Sequence, residues 1–166
     1  MQKTLNGKNS LMQLYKDPIK KEWRLYLYAA EVVDIIFIPH LEELTEKQAI
    51  ADGFKNKKQA INLLLKANYG YKRENIAILT RFKPRLLAYE RRKSLIFTYL
   101  LKDLLLRKKK QTIRMKNLPK YIIGELINIC WRYRSYQTAI YGFSDIKGVL
   151  SYASAFLKKN KGVITV

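Results

Sequence analysis

"LTEKQAIADGFKNKKQA", from Leu44 to Ala60, packs a helix start, a helix stop and a second start into one short stretch. Thr45 precedes a run with helical preference and can cap it by accepting backbone N–H groups. Glu46 in the first turn suits the positive end of the helix dipole. Gly53 is the stop, because a residue without Cβ reaches positive φ at little cost. Phe54 is expected to anchor the turn in the core, and Asn56 to cap the next helix. That helix, Asn56 to Gly70, places Ala60, Ile61, Leu64 and Leu65 on one apolar face. Asp52 reads as a staple of the turn, its carboxylate accepting backbone N–H bonds, rather than as a catalytic acid. Lys55, Lys57 and Lys58 open the second helix, where the dipole disfavours cations unless an anion lies nearby.

Working outward, Asp17-Pro18 marks a turn. Glu22 to Ile38 is rich in Val, Ile, Tyr and Phe and predicts two short strands, Arg24–Ala29 and Val32–Phe37, with Pro39 ending the second. His40 is expected in a loop or cap. Asn75 to Lys83 predicts a returning strand with Arg81 and Lys83 at its exit. Beyond Pro84 the apolar spacing turns helical. It predicts a helix over Arg85–Lys110 broken near Arg91-Arg92-Lys93, and another from Pro119, suited to a first turn, through about Tyr133. A third is expected from a Ser144 cap to Lys158-Lys159, and the closing Gly162–Val166 reads as a short strand. The expected fold class is α+β, with an N-terminal domain over residues 1–83 and a basic, mainly helical extension over 84–166.

Charge narrows the function. Thirty-three Lys and Arg face 13 Asp and Glu, a net +20 with a pI near 10.0. Small soluble domains usually carry a net charge of magnitude about 2–8. Residues 84–166 hold 18 of the basic groups and only 4 of the acidic ones. Such a chain attracts polyanions. One Cys and one His cannot build a zinc site or an internal disulfide. Cys130, in "LINICWRY", reads as a buried thiol on a helix. There is no nucleophile elbow and no phosphate-cradling glycine loop, and Glu42 and Glu43 read as solvated or capping residues. No enzyme activity, cofactor, metal or small-molecule substrate is expected. The N-terminus is neither a signal peptide nor an acylation site, and no apolar run spans a bilayer, so a cytoplasmic protein away from membranes is expected.

Basic residues interleave with aromatics in several places. "YGYKRE" offers Tyr69, Tyr71, Lys72 and Arg73; "TRFKPR" offers Arg81, Lys83 and Arg85; "YERRKS" offers Arg91, Arg92 and Lys93. Arg107, Lys108, Lys109, Lys110, Arg114 and Lys116 form a segment too charged for a core, expected to be an exposed connector between two helices. "WRYRSY" adds Trp131, Arg132, Tyr133, Arg134 and Tyr136. Cationic side chains neutralise phosphates while aromatic rings stack on unpaired bases. Any one tyrosine alone is better explained by core packing. Charge spread over the whole chain points to a protein embedded in folded RNA.

Leu25 to Phe82 resembles the ASCH family, a PUA-like β-barrel group linked to RNA. The strand Ala30–Ile36, the Leu44-Thr45…Ala49 helix, the Asp52-Gly53-Phe54 turn, the helix over residues 56–69 ending at Tyr69 and the strand "NIAILTRF" carry the likeness. The resemblance implies a small barrel with inserted helices and an RNA ligand. Gly7-Lys8 matches the family's Gly-Lys turn, which makes Lys8 a candidate ligand-binding residue. The Thr and Arg that follow in the family are absent, so the resemblance does not bring amide hydrolysis with it. The expected function is that of a non-enzymatic RNA-binding protein of archaeal-type ribosomal or ribosome-associated appearance, contacting rRNA and neighbouring ribosomal proteins. The alternatives are a DNA-binding transcription regulator and a free-standing RNA-processing or tRNA-binding ASCH protein.

Overall fold

The computed structural model describes residues 12–85 and 92–161. Thr45 caps helix α1 (Glu46–Ala51) in a reciprocal capping box: its hydroxyl accepts the Gln48 N–H at 3.0 Å, and Gln48 Oε1 accepts the Thr45 N–H at 2.9 Å. Gly53, at φ +105°, closes the helix. The Gly53 N–H reaches the Ile50 carbonyl at 3.0 Å and the Phe54 N–H reaches Ala49 at 3.1 Å, the two bonds of a Schellman stop. Asn56 Oδ1 then accepts the Gln59 N–H and starts α2 (Lys57–Ala67). Ala60, Ile61 and Leu64 are buried, with Leu65 and Phe54 packed beside them.

The fold is α+β and divides into two compact units. The first comprises Met1–Glu31, Pro84–Lys108 and Leu126–Val166; the second comprises Val32–Lys83 and Lys109–Glu125. In the first unit, strand β1 (Gln13–Lys16) pairs antiparallel with the start of β2 (Trp23–Ile38), and β6 (Leu126–Arg132) pairs antiparallel with β2 along Arg24–Glu31. β4 (Ser94–Phe97) runs parallel to β6 on its other side. Parallel neighbours need a long crossover, here residues 98–125. Helices α3 (Leu101–Leu105), α4 (Gln137–Tyr141) and α5 (Gly148–Lys159) complete this unit, with Trp131, Tyr141, Phe143 and Tyr152 meeting mostly edge to face. In the second unit the order is β2, β3 (Ala77–Pro84), β5 (Gln111–Met115). Ala77, Leu79, Ile113 and Met115 face the apolar sides of α1 and α2 and make its core with Leu41 and Leu44.

Several expectations are corrected. The predicted pair of short strands is one strand of 16 residues, with only a register shift between Tyr26 and Tyr28. Residues 84–166 are not mainly helical. The run over Leu126–Arg132 is a strand, and Ile127 through Trp131 are buried on both of its faces. A fully buried strand shows no alternation and cannot be told from a buried helix by periodicity. Cys130 is a buried free thiol, on this strand rather than a helix. Within the predicted Arg85–Lys110 helix, β4 alternates buried Leu95 and Phe97 with half-buried neighbours, and Leu100 at φ +66° and Arg107 at φ +58° confine α3 to five residues. Pro119 lies in an irregular loop, and α5 begins at Gly148 after an Asp145 turn rather than at Ser144. The predicted Gly162–Val166 strand and the helical positions 86–91 lie outside the described residues.

Asp52 staples the turn, but not through backbone N–H groups. Its carboxylate stands 3.2 Å from Lys109 Nζ, which also donates to the Asp52 carbonyl at 2.7 Å, and Gln111 Nε2 approaches at 3.4 Å. Both charged side chains are more than nine-tenths buried. Burial pushes the Asp52 carboxyl above its ordinary value, against the opposing pull of Lys109. Losing one member of a buried pair leaves the other charge uncompensated. Asp52→Asn is therefore expected to cost about 3 kcal/mol in urea denaturation. Lys109→Met is expected to cost less, because the carboxyl can take up a proton. The folded form then holds that proton more tightly than the unfolded chain, so stability of Lys109→Met rises as pH falls through the carboxylate range. The double variant should cost less than the two singles together; strict additivity would show that the pair does not interact.

Candidate nucleic-acid interface

The turn between β1 and β2 begins the site. Asp17 Oδ1 accepts the N–H groups of Ile19 and Lys20, both at 2.8 Å, which fixes the turn and leaves Oδ2 for Arg24 Nη1 at 2.8 Å. These backbone bonds, first that of Lys20, hold the Asp17 carboxyl below its ordinary value despite the counter-effect of desolvation. Across the sheet, the β2–β6 register sets Arg24 directly opposite Arg132. Like charges in that relation repel. Glu22 relieves the repulsion. Its carboxylate lies 2.8 Å from Arg24 Nη2, 2.8 Å from Arg132 Nε and 3.3 Å from Arg134 Nη1. Burial pushes the Glu22 carboxyl up, but the Arg24 hydrogen bond and the charges of Arg132, Arg24 and Arg134 outweigh it and hold the group below its ordinary value. Three guanidiniums thus share one carboxylate, with Asp17 as the only further anion bonded to the cluster among the described residues. Arg24 is buried, while Arg132 and Arg134 are progressively more open to solvent.

Two exposed rings belong to the same frame, Tyr136 two residues along from Arg134 and Tyr99 next to Thr98. The Tyr136 hydroxyl hydrogen-bonds to Tyr99, which raises its pKa above the ordinary tyrosine value. Tyr99 is 67% exposed and Tyr136 48%. Their footing is firm. The Thr98 carbonyl accepts from the indole Nε1 of buried Trp131 at 3.1 Å and from Nε2 of buried Gln137. Gln137 also takes the Arg134 N–H on its side-chain oxygen, tying the arginine to the same frame.

The other predicted residues lie as follows. In the second unit Lys55 and Lys58 are exposed and Lys57 half-buried, and the Lys57 N–H is donated to the Glu46 carboxylate at 3.0 Å. The chain thus supplies one anion at the start of α2 itself. Lys72 is exposed, Arg73 lies 3.4 Å from Glu42, and Arg81 lies 3.8 Å from Asp34. Tyr71 packs against the core, whereas Tyr69 is fully exposed. Lys83, Lys110 and Lys116 are exposed at strand ends, and Arg114, half-buried on β5, donates to Thr112. In the first unit Arg85 pairs with Glu31, Arg92 is half-buried, and Lys93 and Lys108 are exposed. Lys8 and Arg91 lie outside the described residues.

The expected exposed connector over Arg107–Lys116 is corrected. Arg107 stacks 5.1 Å over the ring of buried Tyr28, Lys109 is buried on Asp52, and Gln111–Met115 is a strand. Cations enter the interior here because each meets a ring or a carboxylate. Trp131 is core rather than a stacking surface. Glu22, Arg24 and Tyr99 escaped the linear reading. Strand pairing alone brings Arg24 to Arg132, and Tyr99 sits in an apolar run whose spacing reads as helical.

Among the described residues no group of His, Cys, Asp and Glu is placed to hold a metal ion, and no helix is long and apolar enough to cross a membrane. No protein-family model matches the chain, and no curated protein or solved structure is significantly similar to it.

Glu22→Gln removes the shared counter-charge and is expected to destabilise the first unit at neutral pH. The folded pKa of Glu22 is depressed, so its contribution is complete above the ordinary value of 4.5 and is lost as pH falls through the lower folded value. The gap in urea midpoint between wild type and Glu22→Gln should therefore close on acidification below that point. A gap that is constant with pH would mean that Glu22 does not act through its charge.

Proposed function

We propose that this chain is a non-enzymatic RNA-binding protein, acting as a ribosomal or ribosome-associated component. The observation that carries the reading is the arginine cluster on Glu22, a concentrated surplus of positive charge on a rigid sheet. It belongs to a wider excess. The first unit holds 19 basic and 6 acidic residues, net +13, and the second 14 and 7, net +7. Both units are therefore polycations in their own right, which suits burial among phosphates better than contact along a single face. The ASCH/PUA-like identity belongs to the same proposal. It is supported by the capping box at Thr45 and the glycine stop at Gly53, the local structure that the resemblance implies. The DNA-reading alternative has less support, since α4 has five residues where a helix-turn-helix wants a full first helix.

Binding of structured RNA should weaken steeply with salt, because each neutralised phosphate releases counterions. In filter binding across a salt series, Arg132→Gln and Arg134→Gln are each expected to lower the slope of log affinity against log salt by about 1. An affinity indifferent to salt would overturn the reading. In lysate at moderate salt the protein should sediment with ribosomal subunits; a wholly free low-mass pool would remove the ribosomal part of the proposal.

A further inference from the structure

The charge of the first unit explains attraction to phosphates, but it does not explain Tyr99 and Tyr136. Two tyrosine rings stand open to solvent on neighbouring segments: Tyr99 follows Thr98, whose carbonyl accepts from buried Trp131 and Gln137, and Tyr136 directly precedes Gln137. The frame of Trp131 and Gln137 anchors the backbone at Thr98 and Arg134, next to the residues that carry the rings. Arg134 adjoins Tyr136, and Arg132 lies behind it on the same carboxylate.

We propose that Tyr99 and Tyr136 form a stacking platform for an unpaired RNA nucleotide, with Arg134 and Arg132 receiving its flanking phosphates. This rests on the RNA-binding reading and names the form of RNA that the site takes. A base within a duplex has both faces covered by its neighbours and offers no ring to a tyrosine; a splayed base offers one, and its phosphates follow at backbone spacing. A phosphate-only site on A-form RNA has no use for two exposed rings. The arginines are not consumed by their counter-ions, since among the described residues Asp17 engages only Arg24 of the three, and Arg132 and Arg134 share Glu22 with it. Unpaired DNA offers the same rings and phosphates and is the competing partner that the test separates from RNA, and an acidic peptide could satisfy the arginines but not the rings.

The test is fluorescence anisotropy on the full chain with a uridine oligomer of about 12 nucleotides and a blunt RNA duplex with the same number of phosphates, at about 50 mM salt. The wild type should bind the single strand more tightly. Tyr99→Ala and Tyr136→Ala should each weaken single-strand binding about tenfold and leave duplex binding and the salt slope unchanged. Tyr99→Phe and Tyr136→Phe keep the rings and should keep the affinity, which separates stacking from any role of the hydroxyl bond in the fold. If duplex and single strand bind equally and the alanine variants change neither, the platform falls while the RNA-binding reading stands. If neither RNA binds, the broader reading falls with it. A deoxythymidine oligomer that binds as well as the uridine oligomer would overturn the assignment to RNA. Displacement of the RNA by polyglutamate at equal charge, unaffected by the alanine variants, would assign the site to an acidic protein instead.

Discussion

The carboxylate of Glu22 decides where the first unit can place its charge. The register of β2 against β6 forces Arg24 and Arg132 to face one another, and the chain leaves β6 through Arg134. Without an anion at that point the three guanidiniums would repel across a sheet that must also bury Leu25 and Trp131. One shared carboxylate permits the pairing without cancelling the charge. A third carboxylate beside Glu22 and Asp17 would have made a neutral network, stable and of no interest to a polyanion. The fold tolerates the surplus because Arg132 and Arg134 keep access to water, while only Arg24 is committed to the interior.

The turn at Leu44–Ala60 was legible because its signals are local. A Thr cap, a glycine at positive φ and an Asn cap each act within a few residues, and the structure uses all three. The strand Ala77–Pro84 was legible for the same reason. What failed were the elements decided by long-range strand pairing. Residues Leu126–Arg132 and Ser94–Phe97 carry apolar runs that fit a helix as well as a strand, and long-range pairing, of β6 with β2 and of β4 with β6, chooses between the two. The site suffered likewise. Arg132 and Arg134 could be picked out in "WRYRSY", but Glu22, Arg24 and Tyr99 join them through sheet pairing and a loop, which leave no trace in linear spacing.

The cations also show why net charge is not a roster of ligand contacts. Lys109 is spent on Asp52, Arg107 on the face of Tyr28 and Arg24 on Asp17 and Glu22. All three are structural, and two of them fall in the segment that looked most exposed. Burying an arginine over a ring or a lysine against a carboxylate costs less than burying it alone, so a strongly basic chain with few acids uses what partners it has.

That economy separates the cations that build the fold from those left to act on other molecules. Among the described residues Asp52 takes Lys109, while Asp17 and Glu22 both take Arg24 and Glu22 adds Arg132 and Arg134. Once these are assigned, the remaining positive charge is concentrated where one acid serves several bases. In the first unit that place is Glu22, and its partner Arg134 is tied through Gln137 to the segments that carry the exposed rings of Tyr99 and Tyr136. Charge alone would draw any polyanion there. The rings add a requirement for a flat, unpaired partner, and that conjunction makes the cluster selective rather than merely attractive.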